Sequence, residues 1–256
     1  MTKKELSQKV DELFRYRHIP ELITLSGIKE ASEFSKQLKM LQIAIYYLDH
    51  HLESNWNIKK GDLKKYWNDI FEAMTSLGIF KKDAPVLCKQ IAKYQSHELN
   101  MRNGKWPTDY KFQFLYYYKS CDVKLIRKLI YNRQPALNKK IKETDWRFYD
   151  YVTEINDDVE DVFEDIHTIN GNRFLISILQ QGTAKTQKEF LSELRLIKKQ
   201  MNVHFGGKKR TPETKELIKW TNTRLEESIQ LIKKQLSLKK INSVSKAIIS
   251  KHLLKE

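Results

Sequence analysis

The sequence predicts an all-α chain, folded over residues 1–256 as a single compact helical bundle. Three observations predict it. Apolar residues recur at intervals of three and four almost throughout, and alternating β-branched stretches are missing. Only 8 Gly and 5 Pro interrupt the 256 residues, too few for a turn-rich all-β protein. A 40 % apolar and 11 % aromatic content is enough to form a core and to exclude a disordered chain.

The elements follow from the punctuation. Breaks between helices are expected at Ile19-Pro20, Ser26-Gly27, Trp56 to Gly61, Gly78 to Pro85, and Asn103-Gly104 through Pro107. Further breaks fall at Gln134-Pro135, Asn170-Gly171, Gln181-Gly182 and Gly206-Gly207. Thr211-Pro212-Glu213 reads as an N-cap followed by proline at the first helical position. Between these points the chain is read as unbroken helix, including Phe112 to Arg133 and Tyr151 to Ile169. Eight to ten helices result, and no fixed-period repeat suggests a solenoid.

Charge and cysteine content narrow the function classes. The chain carries 47 Lys+Arg against 32 Asp+Glu, a net of +15. Residues 181–256 hold 18 and 7 of these, a net of +11. This basic third, read as part of the bundle or as a lid, suits nucleic acid, an anionic membrane surface, a phosphate-bearing ligand or a plain solvated face. Cys88 and Cys121 stand far apart without a CxxC partner, so neither a disulfide framework nor a zinc knuckle is expected. No signal-peptide core or spanning apolar run appears, and a cytoplasmic location is expected. GxSxG, P-loop, GxGxxG and HExxH patterns are missing.

The informative segment is Tyr151–Ile169. On a helix, Val152, Ile155, Val159, Val162, Ile166 and Ile169 form an apolar stripe with Tyr151 and Phe163. Glu154, Asp158, Asp161 and Asp165 stack along one border, with Asp157 and Glu164 slightly further round. Like charges so placed repel. A hard divalent cation offsets that repulsion, and magnesium is commonly held by one or two carboxylates plus phosphate oxygens.

Asp157-Asp158-Val159-Glu160-Asp161-Val162-Phe163-Glu164-Asp165 reads as DDxxDxxxD and resembles the second aspartate-rich motif of the class I isoprenoid synthases. A DVxED-type end followed by Gly171-Asn172-Arg173-Phe174-Leu175 is similar to the squalene and phytoene synthase branch. Asn156, Glu160 and Glu164 resemble the terpene-cyclase spacing, with Glu replacing a hydroxyl at the middle position. The resemblance implies a helical bundle of that family's type. It also implies a first acidic motif upstream, for which the candidate is Asp49-His50-His51-Leu52-Glu53; here His50 and Glu53 depart from DDxxD.

What the resemblance implies is a magnesium-dependent enzyme that ionises a prenyl diphosphate to an allylic cation for transfer, condensation or cyclisation. Metal ligands would be Asp49, Glu53, Asp157, Asp158, Asp161 and Asp165, with Asp157, Asp158, Asp161 and Arg173 catalytic. Lys119, Arg127, Arg133 and Arg173 would hold the diphosphate. Lys208-Lys209-Arg210 would form a closing loop, and Phe112, Phe114, Tyr116, Tyr117 and Tyr118 an apolar pocket. An anionic membrane surface and a second copy of the chain are candidate partners. Two alternatives stand beside this: a basic helical protein binding nucleic acid or an acidic partner, and a member of the fold without the chemistry.

Overall fold

The computed structural model describes residues 3–59, 61–169, 171–207, 210–238 and 240–241, and their regular structure is entirely helical. Twelve α-helices are found among the described residues: α1 Lys3–Tyr16, α2 Ile19–Ser26, α3 Ala31–Ser54, α4 Lys64–Ser76, α5 Ala84–Leu87 and α6 Lys89–Met101. The chain continues as α7 Phe112–Lys119, α8 Cys121–Arg133, α9 Arg147–Glu160, α10 Arg173–Gln181, α11 Thr183–Phe205 and α12 Pro212–Ser237. Lys208 and Lys209 of the expected closing loop lie outside the described residues.

The expected breaks appear where glycine supplies a left-handed backbone. Gly27 ends α2 at φ 66°, its amide donating to the Thr24 carbonyl, and Gly182 at φ 81° separates α10 from α11. At α12, the Thr211 hydroxyl accepts from the Thr214 amide at 3.1 Å, with Pro212 at the first helical position. Two long helices expected from the periodicity are each divided. Ser120 divides α7 from α8; its hydroxyl donates to the Tyr116 and Tyr117 carbonyls and so competes with helix propagation. α9 ends at Glu160, and the chain continues in tighter 3-10 turns at Asp161–Phe163 and Asp165–His167. Stacked like charges give a regular helix nothing to continue for, while the turns still bury Val162 and Ile166.

The chain forms two compact units that exchange segments along the sequence. Residues 1–96 and 121–143 make the first, and residues 97–120 and 144–256 the second. In the first, α3 is central, packing on α1, α2, α4 and α8 with Leu38, Leu41, Ala44, Ile45, Leu48 and Leu52 buried. Gln42 Nε2 donates to Asp122 at 2.7 Å. Cys88 and Cys121 are buried there as thiols rather than as a disulfide, and burial pushes the Cys88 thiol up to about 12, so Cys88 is an inert core thiol.

In the second unit α9 is central, with its most extensive contact along α12 and further contacts to α7, α10 and α11. Val152, Ile155 and Val159 are fully buried, as are Leu217, Thr221, Leu225, Ser228 and Ile232 of α12. Asn156 donates to the Ser228 hydroxyl at 2.9 Å, and Trp146 stacks on Trp220. This arrangement fixes the acid-bearing helix on several sides.

Candidate functional site

The site is built around Asp158, whose side chain is buried. A lone buried carboxylate is costly unless paired and hydrogen-bonded, and here three donors meet it. The Lys119 ammonium bonds Oδ1. Tyr116 Oη donates to Oδ2 at 2.8 Å, and the Arg173 amide donates to the same oxygen at 2.8 Å. α7 brings both Lys119 and Tyr116 because positions i and i+3 share a helix face. α10 adds its positive N-terminal end, since Arg173 is its first residue.

Asn172 ties this centre to the rest of the acidic row. Its Oδ1 caps α10 by accepting from the Leu175 amide at 2.8 Å. Its Nδ2 donates to the Asp158 carbonyl at 2.8 Å and to Asp165 Oδ2 at 2.6 Å. A Cβ on the preceding Gly171 would lie 2.9 Å from the buried Glu98 carboxylate, which would then have to shift.

Electrostatics divide the row into two parts. Burial alone would pull the Lys119 ammonium down, but Asp158, Glu154 and Asp165 hold it well above its ordinary range. Burial and then Asp158 likewise push the Tyr116 phenol up, so it stays a donor. The inner part, Glu154 and Asp158, is therefore buried beside an internal cation. The outer part comprises Asp157, Asp161 and Asp165. Asp161 is exposed, yet partial desolvation, then Asp165, Asp157, Glu164 and Glu160, push its carboxyl from 3.8 up to about 7.

The other expected residues are distributed as follows. Arg173 is buried, its Nη1 donating to the Pro107 and Tyr110 carbonyls at 3.1 and 2.5 Å. Its Nη2 pairs with Glu189 at 3.0 Å, and the guanidinium lies 3.9 Å over the Phe112 ring. Asp49 and Glu53, half-buried on α3, belong to the first unit. So do Arg127, buried with Nη2 donating to the Arg17 carbonyl at 3.1 Å, and Arg133, exposed at the end of α8. Of the aromatic run, Phe112, Phe114, Tyr117 and Tyr118 line a groove of about 800 Å³ with Arg173, Glu193 and Leu196. Tyr116 does not line it, because its hydroxyl serves Asp158.

No protein-family model matches the chain, and no curated protein and no solved structure matches it. The chemistry of the site therefore carries the functional argument. Among the described residues, no group of three or more His, Cys, Asp or Glu side chains is arranged to hold a metal ion. The outer carboxylates are nevertheless hard oxygen donors of the type magnesium takes in ones and twos beside phosphate oxygens. Asp158 already accepts from Lys119, Tyr116 and the Arg173 amide.

Tyr116, Asn172 and Glu189 are site residues that the sequence analysis did not assign their present parts. For Asn172 a signal existed, an Asn three residues before Leu175 at the start of an apolar run. For Tyr116 and Glu189 none existed, because both pairings span the fold rather than a turn.

Proposed function

We propose that the chain binds a prenyl diphosphate with magnesium held by one or two of the outer carboxylates Asp157, Asp161 and Asp165 together with phosphate oxygens, and promotes loss of diphosphate from the allylic carbon. The observation that supports this most is the crowding around Asp161. Partial desolvation and then four neighbouring acids, Asp165, Asp157, Glu164 and Glu160, push its carboxyl up to about 7, and such a cluster gains more from a divalent cation than a dispersed acidic surface does. Magnesium, when bound there, would supply charge neutralisation of the departing diphosphate. The protein's part is positional. Asn172 holds Asp165, while Lys119 and the α10 N-terminus hold Asp158 and hence the backbone that carries Asp157 and Asp161.

The test is release of diphosphate from allylic diphosphates of increasing chain length, with and without magnesium. Magnesium-dependent release is expected, falling by about a hundredfold or more in Asp161→Asn, which keeps side-chain size. A second reading is favoured by one observation, the internal use of Lys119 and of the Arg173 Nη donors: a fold member that keeps the framework without the reaction. Absence of release from every such ester, by a protein that still unfolds cooperatively, would favour that second reading.

A further inference from the structure

Helix α11 has a face that the second unit does not cover. Phe190, Leu194, Ile197, Met201 and Phe205 are buried, whereas Arg195, Leu196, Lys198, Lys199, Asn202 and Val203 are exposed. Helical spacing sets Arg195, Lys198 and Asn202 in one row and Leu196, Lys199 and Val203 in the next. Val203 is 74 % exposed and Leu196 41 %. Leu196 also lines the groove that contains Phe114 and Tyr117, which are 40 % and 49 % exposed. Among the described residues of this unit, these four are the exposed large apolar side chains. They gather on α7 and α11.

Single exposed apolar residues need no explanation, but a set of them beside a row of cations does. Arg195, Lys198 and Lys199 together line a surface depression with Val203, and Lys111 lies at the aromatic end of the face. The acid in that groove, Glu193, already accepts from Tyr151 Oη at 2.6 Å. We infer that the α7–α11 face binds the surface of an anionic phospholipid bilayer. The cations meet the headgroups, while Leu196, Val203, Phe114 and Tyr117 enter the boundary with the acyl chains. A nucleic acid would satisfy the cations, and Tyr117 and Phe114 offer faces for stacking. Leu196 and Val203 offer a base nothing, and apolar side chains at that position gain from hydrocarbon. This inference is independent of the reaction proposed above.

The test uses the full chain and vesicles of phosphatidylcholine alone or mixed with phosphatidylglycerol, read by flotation at low and high salt. Binding is expected to the mixed vesicles and to weaken with salt. Replacing Arg195, Lys198 and Lys199 with Gln should lower partitioning roughly a hundredfold, at about fivefold per cation. Leu196→Ser with Val203→Ser should lower it about tenfold or more, with helix content unchanged by circular dichroism. Absence of binding to the mixed vesicles would overturn the inference. So would an unchanged partition in the Ser double variant, or a single-stranded oligonucleotide that binds through the same cations while vesicles do not. Slower amide exchange along α11 on wild-type protein with mixed vesicles checks the face without any substitution; unchanged exchange would overturn its assignment.

Discussion

At the scale of single residues, Asp158 and Asp161 stand three positions apart in contrasting surroundings. Asp158 is a buried anion with an internal ammonium and two further donors. Lys119→Met would strand it, and loss of one partner of a buried pair costs about 3–5 kcal/mol. Urea unfolding should record that loss, and Asp158→Asn in the same background should recover much of it. Asp161 behaves oppositely. Its folded carboxyl, held at about 7 against 3.8, binds a proton that the unfolded chain has already released. Its contribution to stability therefore falls as pH rises from about 4 to about 7. Asp161→Asn should match wild type near the acid end and exceed it above pH 7, by roughly 1–3 °C in Tm, measured by thermal circular dichroism at both ends.

At the scale of elements, the turn before α10 joins the site together. Asn172 caps the helix, holds the Asp158 carbonyl and reaches Asp165. Asn172→Ala should thus cost more than the roughly 1 kcal/mol of an ordinary cap, about 2–3 kcal/mol by chemical denaturation, because buried acceptors also lose their donor. Most helix ends were legible in the sequence. Gly27, Gly182 and Thr211-Pro212 act through local backbone and capping chemistry, which a sequence states directly. The divisions at Ser120 and Glu160 were not. A serine is tolerated inside many helices, and the stop after Glu160 depends on the mutual repulsion of acids within the folded unit. The acidic row itself was legible as a pattern. Its division into a neutralised inner part and a strained outer part was not, since Lys119 reaches Asp158 across 39 positions of sequence.

At the scale of the whole molecule, the helical class follows from periodicity, and the described residues are helical as expected. The pairing of helices into two units that exchange segments depends on long-range packing that periodicity does not encode. In the function proposed above, the outer carboxylates of the second unit take magnesium together with diphosphate. Isothermal titration of the full chain with inorganic pyrophosphate, in the presence and absence of magnesium, tests it most directly. Heat of binding is expected only when both are present, and is expected to be lost in Asp161→Asn. Binding of pyrophosphate without magnesium, undiminished in Asp161→Asn, or no binding under either condition, would contradict it.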